Sequence, residues 1–156
     1  MNKVLHYTDL NSHITNIRER GSIVLVGGCF DIIHPGHIEF LKKAKNEGDQ
    51  LFVLLESDES ITAWKGKGRP VNTQEKRASA LAQIPYVDFI LLLPRLKTDQ
   101  KYYEMTNLIR PDIIAVTKGD PATSKKAQQA KQVGGKLIEV IERIPNHSTT
   151  SLINKT

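Results

Sequence analysis

The stretch that decides the fold reads SIVLVGGCFDIIHPGH and runs from Ser22 to His37. Ser22–Val26 is a short apolar run of the kind found in strands that are buried on both faces. Two glycines end the run, and a helical pattern follows from Pro35 to about Glu47. A strand, a glycine-containing loop and a helix in this order are typical of the first unit of an α/β sheet.

Four similar apolar runs follow along the chain, separated by polar segments long enough for helices. They span residues 51–55, 87–93, 112–116 and 136–141. In the polar segments apolar residues recur at helical spacing, as Leu41 and Ala44 do after His37. We therefore predict an α/β fold with a doubly wound, five-stranded parallel sheet in three layers. Residues 1–21 are predicted to be a helical N-terminal extension, with its helix at Leu10–Arg20, and residues 22–156 the main domain.

Length and composition indicate one folded domain. The chain has 156 residues, of which 25% are charged and 39% hydrophobic, so a disordered tail is excluded. Its single cysteine, Cys29, cannot form an internal disulfide and favours a reducing cytosol. No apolar run approaches the ~20 residues of a membrane helix, and the first residues do not resemble a signal peptide. We predict a cytoplasmic protein with no membrane partner.

The net charge of +5 allows either nucleic acid or small phosphorylated ligands as partners. The cations cluster beside glycines at predicted strand ends, and only 6% of residues are aromatic, so base-stacking surfaces are poorly supplied. This distribution favours a site for a small phosphorylated ligand over a nucleic-acid interface.

Two histidines lie at the predicted start of the first long helix. A glycine loop that precedes a helix is suited to anions, because its backbone N–H groups are free and the helix dipole is positive there. His34 and His37 are three residues apart and can donate hydrogen bonds to the same phosphate. A core histidine at position 37 is the alternative, and a zinc site is disfavoured because Cys29 is the sole cysteine. Neither G-x-G-x-x-G nor a Walker loop is present.

The run from Gly28 to His37 resembles the G-x-F-D-x-x-H-x-G-H signature of the nucleotidyltransferase, or cytidylyltransferase-like, superfamily. The resemblance implies a Rossmann-like domain over residues 22–156. It also implies transfer of a nucleoside monophosphate from a triphosphate to a phosphate-bearing acceptor, with release of pyrophosphate. Under this resemblance His34 and His37 are catalytic. The nucleotide contacts implied in the same run are Gly28, Cys29, Phe30, Asp31 and Gly36.

A second cluster, KGKGRPVN at residues 65–72, places three cations within five residues. Taken alone it reads equally well as a solvated basic loop or as a loop that closes over phosphates. It is similar to the corresponding segment of heptose-phosphate adenylyltransferases, whose cations contact phosphates. This similarity implies that Lys65 and Lys67 are catalytic and that Arg69 and Arg77 bind the substrate.

Two further segments at predicted strand ends resemble motifs of the superfamily. Gly119 and Asp120 match a segment that lies near the nucleotide base. The tail at residues 143–150 is similar to the R-T-x-G-I-S-T-T motif of glycerol-phosphate cytidylyltransferases, which holds the triphosphate. Its transferable positions are Arg143, Ser148, Thr149 and Thr150. Ile144, Asn146 and His147 depart from the motif, which leaves the choice of base open.

The resemblance therefore implies an enzyme that transfers AMP from ATP to a sugar phosphate similar to heptose 1-phosphate. Three alternatives stay open: a cytidylyltransferase that uses CTP and glycerol 3-phosphate, an adenylyltransferase similar to FAD synthetases, and a nucleotide-binding regulatory domain without activity. Mg²⁺ is expected to be held mainly by the triphosphate, with no protein ligand assigned. The family resemblance also implies a homodimer.

Overall fold

A central parallel sheet organises the protein. The structure is a computed structural model that describes residues 2–142. In this part of the chain the strands β1 to β6 span Val4–His6, Ile23–Gly28, Gln50–Leu55, Phe89–Leu92, Ile113–Thr117 and Lys136–Ile141. The helices α1 to α6 span Leu10–Glu19, Pro35–Lys45, Asp58–Lys65, Gln74–Ala82, Asp99–Ile109 and Thr123–Gln132. None of these helices combines the length and apolar character needed to cross a membrane.

The strand order confirms the predicted doubly wound α/β fold. The order is β1-β4-β3-β2-β5-β6, and all neighbouring strands are parallel. From β2 the chain proceeds outward through β3 and β4, and it then crosses to β5 and β6 on the other side. The order thus reverses between β2 and β5. In sheets of this type the ligand crevice lies beyond the carboxyl ends of the two strands at the reversal.

The sheet has one strand more than we predicted. Val4–His6 forms β1 within the segment predicted to be helical, and it pairs with β4 at one edge of the sheet. The predicted helix follows as α1 and ends at Glu19, one residue early. A strand of three residues is too short for its periodicity to be recognised, and only Leu5 in it is buried. The difference therefore comes from a tertiary contact that has no local signal.

Both faces of the sheet are covered by helices, as its near-continuous apolar strands require. Successive residues of β2 enter opposite cores. Leu25 packs in the core formed with α1 and α5, whereas Val24 and Val26 pack in the core formed with α2 and α4. All of Gln50–Leu55 is buried. Because both faces are filled, polar chemistry is confined to the strand ends.

Candidate functional site

A cavity of about 360 Å³ lies at the carboxyl ends of β2 and β5, where the strand order reverses. We call it the histidine cavity. One wall is the loop after β2 together with the start of α2, and the other is the loop after β5. The residues in its walls that the sequence predicted as site residues are Gly28, Cys29, Phe30, His34, Gly36, His37, Gly119 and Asp120. The structure therefore brings the first motif and the Gly119–Asp120 segment together.

His34 is the N-cap of α2. The residue before a proline is restricted to extended backbone, and His34 has φ −135° and ψ 171° before Pro35. In this conformation its Nδ1 accepts hydrogen bonds from the backbone N–H groups of Gly36 at 3.1 Å and of His37 at 3.4 Å. A neutral imidazole that accepts at Nδ1 carries its proton on Nε2. The helix cap thus fixes both the orientation and the tautomer of a ring in the cavity wall.

His37 completes a reciprocal capping box with His34. Its Nδ1 accepts from the backbone N–H of His34 at 3.3 Å, and the two rings stack with centroids 3.8 Å apart. Burial lowers the pKa of His37 to about 4. The nearby His34 adds to this effect, while the backbone carbonyl of Ile32 opposes it. At neutral pH His37 is therefore a neutral ring in the cavity wall and not a cation.

The Phe30 ring packs beside His37. Phe30 is one of the non-glycine residues with positive φ, at 45°, and its ring centroid lies 5.3 Å from that of His37. The ring passes so close to Gly28 that a Cβ atom there would lie 2.9 Å from it. This contact requires a glycine at position 28. The positive φ of Phe30 is a strained conformation that places its ring in the wall of the histidine cavity.

Asp31 connects the first motif to the basic loop. Its side chain is fully buried, and its carboxylate accepts hydrogen bonds from the backbone N–H groups of Val71 at 2.8 Å and Asn72 at 2.9 Å. The Nε atom of Arg69 lies 3.5 Å from the same carboxylate. We predicted that Asp31 and Arg69 contact ligands. The structure uses the Asp31 carboxylate for backbone donors of the basic loop and places Arg69 beside it, and Arg69 stays a predicted substrate ligand.

Arg77 differs from our prediction in the same way. Its side chain is fully buried, and it donates to the backbone carbonyls of Cys29 at 2.7 Å and Asn72 at 3.1 Å and to the Asp58 carboxylate at 2.7 Å. All three of its nitrogens are used by protein oxygens. In this arrangement Arg77 does not reach a substrate, and it instead ties together the glycine loop, the basic loop and the start of α3.

The two lysines of the basic loop are exposed near the site. Lys65 is the last residue of α3, and its charge lowers the pKa of both His37 and Cys29. For Cys29 burial is the larger effect and raises the pKa, so the thiol is protonated at neutral pH. The cavity walls in the described part of the chain include neither Lys65 nor Lys67. Both remain predicted phosphate ligands.

The loop after β5 carries a fixed ion pair. The Asp120 carboxylate lies 2.9 Å from the Lys126 Nζ atom and accepts from the backbone N–H of Ala122 at 2.8 Å. Gly119 precedes it with φ 85°, a conformation that favours glycine. The structure thus presents Asp120 to the site as half of a charge-neutral pair. The predicted residues Arg143, Ser148, Thr149 and Thr150 lie outside the described residues.

A second cavity, of about 670 Å³, lies beside the first. We call it the tyrosine cavity. The two share the end of β2 at Gly27–Cys29 and also Asp120, Pro121 and Lys126. Polar and aromatic side chains in its walls that sequence reasoning missed include Glu56, Trp64, Tyr102 and Lys126. Glu56 directly follows β3, so the rule that sites lie at carboxyl ends of strands could have found it.

Glu56 and Tyr102 form a hydrogen-bonded pair in this cavity. The Tyr102 hydroxyl lies 3.0 Å and 3.2 Å from the two carboxylate oxygens of Glu56. Burial raises the pKa of Glu56 to about 7, and the hydrogen bond from Tyr102 opposes the shift. Burial and the neighbouring carboxylate raise the pKa of Tyr102 as well. The phenol therefore stays protonated and donates to the carboxylate.

The shifted pKa values of His37 and Glu56 predict opposite effects of pH on stability. The folded state favours neutral His37, so this group adds stability as pH rises from about 4 to 6.5. It also favours neutral Glu56, so this group removes stability as pH rises from about 4.5 to 7. The two effects nearly cancel in the wild-type protein, so a variant is needed to separate them.

We expect Glu56→Gln to stabilise the protein more at pH 8 than at pH 5, by roughly 2 kcal/mol, because it removes the buried ionisation. Urea unfolding at the two pH values measures this difference. Glu59→Gln is the matched control, because Glu59 is exposed in the neighbouring turn. An equal gain at both pH values would contradict the raised pKa of Glu56.

The fold and the histidine cavity agree with the resemblance found in the sequence. Two imidazoles at a helix start lie where a parallel sheet reverses its strand order, as expected for a nucleotidyltransferase domain. The cytidylyltransferase-like family model matches residues 25–155, and the chain belongs to this family.

Curated relatives support this assignment. The chain is 36% identical over 157 residues to the bifunctional protein HldE of Methylobacillus flagellatus. This match covers 98% of this chain and 31% of that protein. It is 38% identical over 138 residues to HldE of Campylobacter fetus subsp. fetus, covering 88% of this chain and 28% of that protein. The chain therefore spans less than a third of the length of these relatives.

Solved structures show the same fold. A lipopolysaccharide core biosynthesis protein from Thermoplasma volcanium is 26% identical with a TM-score of 0.59, and the match covers 80% of this chain and 96% of that one. Pantoate-beta-alanine ligase from Francisella tularensis has a TM-score of 0.68 at 16% identity, and the match covers 100% of this chain and 74% of that one. The second likeness concerns the fold alone.

Proposed function

We propose that the chain transfers AMP from ATP to a sugar phosphate of the heptose 1-phosphate kind and releases pyrophosphate. The observation that carries the proposal is that two neighbouring cavities share a wall at Gly27–Cys29. The histidine cavity offers donors for nucleotide phosphates, and the larger tyrosine cavity has room for the body of an acceptor. The relative named for lipopolysaccharide core biosynthesis supports a sugar acceptor, and the GKGRPVN loop supports the adenylyltransferase.

In the proposed reaction an oxygen of the acceptor phosphate attacks the α-phosphorus of ATP in line. The new P–O bond forms while the bond from the α-phosphorus to the oxygen bridging to the β-phosphate breaks, and pyrophosphate leaves with the bonding electrons. His34 donates from Nε2 and His37 donates as a neutral ring to the oxygens that gain charge. Because both rings are positioned before the substrate binds, little reorganisation is needed.

Magnesium would enter as part of the substrate, MgATP. Within residues 2–142 no group of three His, Cys, Asp or Glu side chains is placed to hold a metal ion. The Asp120 carboxylate in the cavity wall is already engaged by Lys126. Triphosphate oxygens and water would supply the ligands of the ion, as is usual for Mg²⁺.

A pyrophosphate-release assay tests the proposal. ATP and CTP are each paired, in the presence of Mg²⁺, with heptose 1-phosphate, glycerol 3-phosphate, phosphoethanolamine and FMN. We expect release from ATP with heptose 1-phosphate. The family description favours CTP as the second candidate, and release from CTP alone would replace the proposal with a cytidylyltransferase. Nucleotide binding without release from any pair would indicate a regulatory domain.

A further inference from the structure

Glu56 and Tyr102 are half-buried polar groups that the proposed transfer step does not use. The backbone N–H of Glu56 donates to the carbonyl of Gly28 at 3.1 Å, which fixes the residue beside the glycine loop. Tyr102 reaches the carboxylate from α5, on the opposite wall of the tyrosine cavity. Two separate elements of the fold thus converge on one polar point in the wall of the tyrosine cavity.

The pair has hydrogen-bonding capacity left for a ligand. An ionised carboxylate has about four lone-pair sites, and Tyr102 provides the hydrogen bonds that the described residues give it. The phenol oxygen can itself accept a hydrogen bond after donating its proton. Leu25, Leu54 and Leu93 form an apolar part of the same cavity wall. A carboxylate and a phenol beside apolar surface suit a ligand with neighbouring hydroxyls on a carbon chain.

The charges around the cavity determine how a phosphorylated acceptor would lie in it. Lys125 is paired with Asp99 at 3.1 Å and Lys126 with Asp120 at 2.9 Å, so these cations are largely neutralised. Above pH 7, where it is ionised, the Glu56 carboxylate repels a phosphate. The phosphate end is therefore favoured toward the histidine cavity, and the uncharged end toward Glu56.

Within the proposed function, we infer that Glu56 and Tyr102 are the specificity-determining pair of the acceptor site. They bind hydroxyl groups of a polyhydroxylated phosphate and select it over phosphates without such hydroxyls. The pair does not contact the acceptor phosphate or the α-phosphorus that react. It sets the affinity for the acceptor, and the affinity for the nucleotide is independent of it.

Calorimetric titration of the full chain tests this inference. Heptose 1-phosphate is titrated into protein saturated with Mg²⁺ and α,β-methylene ATP, and the analogue is titrated separately. We expect Glu56→Gln and Tyr102→Phe each to weaken heptose 1-phosphate binding by about ten- to a hundredfold, because each loses a charge-assisted hydrogen bond. Analogue binding should change less than twofold. The double variant should lose less heptose 1-phosphate affinity than the product of the two single fold-changes, because the two residues are hydrogen-bonded to each other.

Matched controls and turnover separate this inference from the proposed function. Glu59→Gln and Tyr103→Phe change the same residue types in the same helical regions, outside both cavity walls, and should bind both ligands normally. If the wild-type protein releases pyrophosphate with heptose 1-phosphate while Glu56→Gln keeps its acceptor affinity, the inference is overturned and the proposed function stands. If the wild type binds none of the panel acceptors, both are overturned. Equal losses for acceptor and analogue would overturn the inference by assigning the pair to the nucleotide.

Discussion

Replacing His37 by alanine is expected to lower kcat for pyrophosphate release by a hundredfold or more. The neutral ring would donate to oxygens that gain charge in the transition state, and removal of one such donor typically costs 10²–10³ in kcat. The pKa of about 4 means that this donor keeps its protonation state throughout the neutral range. Steady-state kinetics with MgATP and heptose 1-phosphate at pH 7.5 measure the effect.

The control for this experiment is His6→Ala. His6 is exposed on β1, at the far edge of the sheet from β5, and its loss should leave kcat unchanged. His37→Asn should retain part of the activity, because the amide can still donate. The His37→Ala protein should fold, since it loses one capping interaction worth about 1 kcal/mol and the ring contacts to His34 and Phe30, while the sheet and its two cores are unchanged. A kcat within threefold of wild type would remove His37 from the proposed mechanism.

Arg77→Ala is expected to lower the free energy of unfolding by about 3–5 kcal/mol. The substitution removes three donors of a fully buried side chain at once and leaves the half-buried carbonyls of Cys29 and Asn72 without these hydrogen bonds. For a domain of this size the loss corresponds to a fall in Tm of roughly 10 °C. Urea unfolding and calorimetry at pH 7.5 give the two quantities.

Lys76→Ala provides the comparison on the same helix. Lys76 is exposed on α4, and its replacement should change stability by no more than about 0.5 kcal/mol. Arg77→Lys keeps the charge and cannot form all three hydrogen bonds, so it should fall between the two. If Arg77→Ala unfolds within 1 kcal/mol of wild type, the three loops are held together by other contacts.

The fold was predictable because its signals are local and repeated. Five apolar runs with helical segments between them predicted a parallel sheet, and the strand-end rule placed the ligand crevice beside His34 and His37. The strand Val4–His6 was missed because it exists through pairing with β4, which leaves no trace in three residues. Local periodicity predicts elements, whereas an edge strand is a product of tertiary structure.

The sequence predicted where the loops of the site lie, but it did not predict which charged side chains are buried. Sequence spacing cannot tell a cation that faces solvent from one that is buried. Arg77 matched a phosphate-binding pattern, yet its position on the inner face of α4 places it under the loops. Tyr102 was missed for the converse reason, since nothing in the pattern of α5 shows that one of its tyrosines reaches the end of β3. Both errors concern which way a side chain points.

The buried guanidinium of Arg77 links the glycine loop, the basic loop and the start of α3, so these segments depend on one another structurally. Because one side chain holds the glycine loop, the basic loop and the start of α3, exchange of the basic loop alone with that of a relative would leave a mismatched anchor beneath it. A chimera that exchanges the basic loop must therefore carry Asp31, residues 58–72 and the first turns of α4 together. Under this arrangement the basic loop is exchangeable between relatives only with the helices that flank it, and not by itself.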